Sequence, residues 1–184
     1  MNAIDLLLSD HTRLRELMPR LYDQTIAADE RNRLRETVEK EIKIHSLIEE
    51  EIFYPAWKDA TNAADDRDYY YESIEEHHVA DMLLPELMTL DASADSFRAK
   101  AKVLFELFDH HAGEEEEHMF PRAKQLFGEA RLAELGIQMV ARRDDLDQKW
   151  SGRVGKVLQK AQTVADKFAP SSVKEARVEA NRDK

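Results

Sequence analysis

The sequence contains no cysteine among its 184 residues. Disulfides, thiolate zinc sites, iron–sulfur clusters and cysteine nucleophiles are therefore excluded. Glycine and proline number only five each, which argues against a turn-rich β-sandwich or β-barrel. Apolar runs long enough to span a membrane are also missing, and the N-terminus lacks the basic segment of a signal peptide. We therefore expect a soluble, cytoplasmic protein with no membrane partner.

The charge is acidic and unevenly distributed. There are 27 Lys and Arg residues against 38 Asp and Glu residues, which gives a formal net charge of −11 at pH 7. An excess of negative charge repels phosphates, so we expect no nucleic-acid partner. Residues 151–184 are by contrast net basic. We interpret them as a solvated end of the chain, although a basic tail could also contact an acidic partner.

Apolar residues recur at three- and four-residue steps along most of the chain, the pattern of amphipathic helices. Four such stretches are separated by polar breaks near residues 25–30, 58–68 and 91–96. The pattern predicts an all-α fold with three parts. Residues 1–128 form an up-down four-helix bundle, residues 129–170 a C-terminal helical extension, and residues 171–184 a charged, flexible tail.

Each bundle helix carries a histidine where leucine is usual, and two helices carry a glutamate one turn further on. The six residues are His11, His45, Glu49, His77, His111 and Glu115. The last three are the first three shifted by 66 residues, and the surrounding sequence repeats with the same shift. The midpoints between successive histidines fall in the three breaks, so an up-down bundle places all four histidines at one height. Each glutamate lies one turn away on the same face.

Four imidazoles and two carboxylates in a bundle core make little sense as structure alone. A buried carboxylate is costly unless it is paired or bound to a metal. Imidazole nitrogens and bridging carboxylates are suitable ligands for a pair of first-row metal ions, above all iron or manganese. The sequence therefore predicts a two-metal site in the core.

On these residues the sequence resembles hemerythrin-like proteins, which share the repeated His…His-x-x-x-Glu pattern of the HHE cation-binding domain. The resemblance covers about residues 3–125. It implies a left-handed four-helix bundle with a non-haem di-iron centre. The same ligand set would also accept manganese. By this resemblance His11 and His45 would bind one iron, and His77 and His111 the other. The two glutamates would bridge the ions together with an oxo or hydroxo group.

One position departs from the pattern of the oxygen-carrying hemerythrins, which have a further histidine one turn before His77. This chain has Ser73 there, so one iron is short of a protein ligand. Water could take that place, or Tyr54, which stands five residues after Glu49 and just before a proline that could loosen the helix. A packed aromatic ring is the other interpretation of Tyr54. The missing histidine argues against simple reversible oxygen carriage.

The resemblance indicates two alternative functions. The first is a redox-active di-iron protein that binds and reacts with O₂, peroxide or NO, including catalase-like peroxide decomposition in oxidative stress. The second is an iron- or oxygen-sensing or iron-binding module with little turnover. We assign no catalytic residue beyond the metal ligands, and the oligomeric state is left open.

The other histidines and glutamates near the predicted site receive simpler interpretations. His78 and His110 lie off the apolar faces and are expected to be solvated. His118 is expected to be packed or exposed. The glutamates around the second bridging position, Glu114, Glu116 and Glu117, are interpreted as a hydrated acidic surface.

Overall fold

The computed structural model describes residues 1–61 and 63–168, with side chains as far as residue 152. Within these residues the chain is helical and contains no strand. The helices are α1 (Ala3–Leu17), α2 (Pro19–Tyr22), α3 (Ala28–Ile48), α4 (Tyr54–Ala60), α5 (Ala64–Thr89), α6 (Asp95–Glu114) and α7 (Phe120–Phe168). Two π-helical segments, Glu49–Phe53 and Glu115–Met119, join α3 to α4 and α6 to α7. None of the helices in the described residues is long and apolar enough to cross a membrane.

Helices α1, α3, α5 and α6 form the bundle, in which α1 packs against α3, α5 against α6, and α3 against α5. The connections between them lie at or beside the three breaks expected from the sequence. Side chains of the four apolar stripes meet in the core, where Leu14, Val38, Leu84 and Leu104 are almost completely buried. The architecture confirms the predicted all-α four-helix bundle with an additional C-terminal helix.

A buried arginine ties together two loops at one end of the bundle. The guanidinium of Arg31 donates to the carbonyl of Ile26 at 2.8 and 2.9 Å and to that of Ala92 at 2.7 Å. Ile26 precedes α3 and Ala92 follows α5, so one side chain satisfies carbonyl groups of two separate loops. This contact links the loop before α3 to the loop after α5.

The two π-helical segments occur at equivalent positions of the internal repeat. In each segment the amide five residues further on donates to the carbonyl of the first residue, which is Glu49 or Glu115. The residue after that donor is Pro55 in one segment and Pro121 in the other. Proline has no N–H and its ring clashes with the carbonyl four residues earlier, so the helix widens before it. The wider turn changes the direction in which the following side chains point.

The C-terminal helix contacts the beginning of the chain. Helix α7 contains a kink at Gly128, whose φ of 65° is a conformation that glycine adopts readily. After the kink, Gly136 packs so closely on the backbone of residues 1–3 that an added Cβ would lie 2.7–2.8 Å from it. Only a residue without a side chain permits this approach.

The chain divides into two compact units, Met1–Asp144 and Asp145–Lys184. The first unit contains the bundle together with the first part of the residues that the sequence assigns to an extension. The predicted tail, residues 171–184, lies outside the described residues, and the predicted boundaries at 128 and 170 stay predictions.

Candidate metal centre

The structure brings together, in the interior of the bundle, the six side chains that the sequence predicts as metal ligands. They form two groups, each with ligating atoms within 4.8 Å of one another. The groups are His11, His45, Glu49 and Glu115, and Glu49, His77 and His111. Both groups are buried, and Glu49 belongs to both of them.

Each of the two glutamates lies between histidines of different pairs. The Oε2 atom of Glu49 is 3.3 Å from Nε2 of His45 and 3.4 Å from Nε2 of His77. The Oε2 atom of Glu115 is 3.2 Å from Nε2 of His11 and 3.7 Å from that of His111. Such an arrangement is what carboxylates that bridge two cations require, since each has oxygen atoms to share between them.

Several ligating atoms in this cluster have no hydrogen-bond partner within the described residues. They are Nε2 of His11, Nε2 of His45, both carboxylate oxygens of Glu49 and Oε2 of Glu115. Some lie within 3.4 Å of each other, but not in hydrogen-bonding geometry. Buried polar atoms without partners are costly, and a cation among them would remove that cost. The set of imidazole nitrogens and carboxylate oxygens therefore fits iron or manganese.

Every histidine of the cluster has a carboxylate at Nδ1, on the opposite side of the ring from Nε2. The pairs are His11 with Glu116 (2.8 Å), His45 with Asp10 (3.3 Å), His77 with Glu50 (2.8 Å) and His111 with Glu76 (2.8 Å). An ionised carboxylate only accepts hydrogen bonds, so Nδ1 donates to it, and in the neutral imidazole the lone pair of Nε2 faces the cluster. This arrangement orients imidazoles as metal ligands and raises their basicity.

The four acidic partners were not predicted, although the internal repeat contains the signal for them. An acidic residue directly precedes the first histidine of each repeat, and another directly follows each bridging glutamate. The interpretation of Glu116 as hydrated surface is wrong, because its side chain is bonded to His11 and to Arg15 and is only 30% exposed. His78 and His110 are exposed, as expected.

Tyr54 reaches the cluster because of the π-helical segment. In a regular α-helix a residue five positions after Glu49 would point about 140° away from it, whereas a π-helical turn brings the two close to one face. Tyr54 is completely buried, and its hydroxyl donates to Oε1 of Glu115 at 2.9 Å. Burial and the charges of Glu115 and Glu49 raise the pKa of Tyr54 well above its ordinary value.

Ser73 is buried near the cluster, but its hydroxyl is already engaged. It donates to the carbonyl of Tyr69 at 2.9 Å and lies 3.6 Å from the sulfur of Met119. A hydroxyl that is bonded to its own helix backbone is a poor metal ligand. That Tyr54 takes the place of the missing histidine stays a prediction.

Protons compete with cations for this cluster. Burial lowers the pKa of His11, but its contacts with the carboxylates of Glu115 and Glu116 outweigh burial and raise it to about 9. Burial and the charge of Glu115 raise the pKa of Glu49 well above its usual range. Burial lowers the pKa of His45 to about 4. Since ligands must be deprotonated to bind a metal, cation affinity increases with pH.

The free energy of unfolding of the metal-free protein is expected to fall as pH rises from 6.5 to about 9. The pKa of His11 is higher in the folded state than the ordinary 6.5, so its stabilisation is complete below 6.5 and is lost as pH rises through about 9. The cation-loaded protein is expected to show the opposite slope. Thermal unfolding with EDTA and with Mn²⁺ across this range measures both slopes, and parallel slopes would contradict the prediction.

A partly open cavity reaches the cluster from one side. Its volume is about 330 Å³, including the space at its mouth. Three of the cluster histidines contribute to its wall, together with apolar side chains that include Ile42, Leu104 and Phe108. The cavity therefore offers a small molecule a route to the centre.

Comparisons with known proteins agree with the fold and the residue pattern. A family model described as the hemerythrin HHE cation binding domain matches residues 2–123. Proteins Rv2633c of Mycobacterium tuberculosis and Mb2666c of Mycobacterium bovis are each 30% identical to this chain over 147 residues, 79% of this chain and 88% of theirs.

A solved structure is similar as well. The crystal structure of a hemerythrin HHE cation binding domain-containing protein, the Rv2633c homolog from Mycobacterium kansasii, is 26% identical. It superposes with a TM-score of 0.68, covering 89% of this chain and 93% of that one. The match confirms the left-handed up-down bundle.

Proposed function

Because the chain belongs to the family of hemerythrin HHE cation-binding domains, we propose that its buried cluster holds two iron ions and reacts with O₂, peroxide or NO. His11 and His45 would hold one ion, His77 and His111 the other, and the two glutamates would bridge them. The buried nitrogen and oxygen atoms without partners support this assignment. Manganese is the alternative metal for the same ligands.

The cavity beside His45, His77 and His111 is the observation that carries the reactivity. A small ligand that binds to the cluster and leaves it needs such an opening. The cavity has room for little more than a molecule of the size of water or dioxygen. Its largely apolar wall favours uncharged ligands, such as O₂, NO and hydrogen peroxide.

Iron bound in the cluster would supply Lewis acidity and electrons. The protein contributes position and protons. The carboxylates at Nδ1 hold the imidazole rings, and the apolar wall of the cavity keeps bulk water from the centre. The phenol of Tyr54 donates a hydrogen bond to Oε1 of Glu115 at 2.9 Å. As a ligand to a ferric ion it would give up that proton and bind as the phenolate.

Metal analysis of protein purified without chelators or affinity metals tests this proposal. We expect two irons per chain and consumption of peroxide at a rate that depends on the iron content. No metal uptake after anaerobic iron loading would contradict the cluster. Full loading with peroxide persisting at the rate of buffer would contradict the reactivity and would favour an iron-binding or sensing module.

Replacing Tyr54 with phenylalanine is expected to remove the visible charge-transfer absorption of the ferric protein, because a phenolate bound to Fe³⁺ causes such a band. Loss of the hydrogen bond to Glu115 should also lower the free energy of unfolding by about 1 kcal/mol. Absorption spectra of the ferric proteins measure the first effect. Tyr70→Phe is the matched control, since Tyr70 packs against the Tyr54 ring. An unchanged band in Tyr54→Phe would mean that Tyr54 is not a ligand.

A further inference from the structure

Two arginines divide the cluster into unlike halves. We propose that Arg15 and Arg143 lower the cation affinity of the position at His11 and His45. This inference rests on the proposed two-cation cluster. Arg15 lies on α1, whereas Arg143 lies on α7, beyond the residues that match the family model.

In the half formed by His11 and His45, each supporting carboxylate oxygen is shared with an arginine. Oδ2 of Asp10 lies 3.3 Å from Nδ1 of His45 and also accepts a close hydrogen bond from Arg143. In the same way, Oε1 of Glu116 lies 2.8 Å from Nδ1 of His11 and 2.6 Å from the guanidinium of Arg15. Histidine and arginine therefore compete for one oxygen atom in both cases.

In the half formed by His77 and His111, each supporting carboxylate is hydrogen-bonded to a histidine. Oε1 of Glu50 is 2.8 Å from Nδ1 of His77, and Oε2 of Glu76 is 2.8 Å from Nδ1 of His111. In the described part of the chain, the salt bridges of Glu76 run to His111 and, at 3.7 Å through its other oxygen, to His110. The negative charge of these carboxylates therefore acts mainly on the imidazoles.

The difference in charge affects how strongly the histidines donate to a cation. A carboxylate at Nδ1 increases the basicity of Nε2, and a guanidinium on the same oxygen withdraws part of that effect. Within the described residues, the guanidinium groups of Arg15 and Arg143 bind the supporting carboxylates of one half, with Asp109 sharing Arg15, and no arginine pairs with the supporting carboxylates of the other half. The arginines therefore reduce the attraction of a cation to the His11 and His45 half.

The part of α7 that lies beyond the family match places Arg143 against the bundle. Leu135 and Met139 precede Arg143 by two turns and one turn and are buried. Residues at this spacing share one helix face, so Arg143 lies on the face that packs on the bundle. Its side chain is only 20% exposed, and that of Asp10 is 7% exposed. The C-terminal helix is thereby part of the metal site.

Titration of the metal-free protein with Co²⁺ under anaerobic conditions, followed by visible absorption, tests the inference. We expect two binding steps. His77→Ala should remove the step of its own half, and His11→Ala the step of the other half. These two variants assign each step to its half of the cluster.

The arginine variants then decide the cause. Arg15→Gln and Arg143→Gln are expected to tighten the step of the His11 and His45 half severalfold and to leave the other step unchanged, while Arg143→Lys should behave like the wild type. Matched controls are Arg13→Gln and Arg142→Gln, because these arginines pair with Glu41 and Glu51, outside the cluster. Both controls should leave both steps unchanged. Arg15, at 31% exposed, provides the test alone if Arg143→Gln does not fold.

Arginine variants that leave the step of the His11 and His45 half unchanged, or weaken it further, would overturn the inference and leave the two-cation cluster intact. Fewer than two Co²⁺ ions bound by the wild type would overturn the proposed function and this inference together.

Discussion

Replacing His77 with alanine is expected to abolish peroxide consumption by the iron-loaded protein and to reduce its iron content to about one ion per chain. The variant loses an imidazole whose Nε2 lies 3.4 Å from Glu49 and 3.2 Å from Nε2 of His111. It also loses part of the wall of the cavity. Because the ligand itself is removed, we expect a loss of about 100-fold or more, at or above the effect of losing a supporting partner. Peroxide consumption at equal protein concentration and metal analysis measure the two effects.

The chain provides a matched control for this variant in the adjacent histidine. His78 is exposed and has no ligating atom in the buried cluster. His78→Ala should therefore retain two irons and the rate of the wild type. Equal rates in His77→Ala and in the wild type would show that the chemistry does not need this half of the cluster.

Removal of the metal is expected to cause the largest change in stability. At a free cation concentration 1,000 times the dissociation constant, one site that binds only the folded state adds about 4 kcal/mol to the free energy of unfolding. The reason is local, since Glu49 and Glu115 are completely buried and have oxygens without partners in the described structure. Urea unfolding under anaerobic conditions, with iron and with a chelator, measures the difference.

A substitution at a bridging position separates metal binding from other effects of the chelator. Glu49→Gln keeps the shape of the side chain but removes the charge that a cation requires. Since the pKa of Glu49 is raised by burial and by Glu115, the carboxyl group is already disposed to be neutral without a cation. The variant should therefore unfold like the metal-free wild type and gain little from iron. A full gain from iron in Glu49→Gln would show that the carboxylate does not bridge.

The sequence was sufficient to predict the helices, the breaks between them and the six side chains that converge. Those features depend on periodic spacing and on an internal repeat with a constant shift of 66 residues, both of which are visible along the chain. The carboxylates at Nδ1 were missed because acidic residues on a helix are most often solvated, and their partners lie on other helices. Arg143 contacts Asp10 across 133 positions of sequence, and no local pattern announces such a contact. The roles of the six converging histidine and glutamate side chains as metal ligands stay predictions.

The position of Tyr54 shows a second limit of sequence patterns. Regular helical geometry places it away from Glu49, and the wider π-helical turn reverses that conclusion. The proline that follows was the available signal, because it disturbs the preceding turn. A proline can end, kink or widen a helix, so the sequence alone left the outcome open.

The paired π-helical segments also bear on the ancestry of the fold. A π-helical turn holds one residue more than the α-helical turn that it replaces, and both segments start at a bridging glutamate. A two-helix ancestor that already carried this additional residue, and was then duplicated, accounts for both segments by a single insertion. The copies diverged afterwards, since Tyr54 of the first has Phe120 as its counterpart in the second. The two cation positions would thus be sister sites that descend from one symmetric pair.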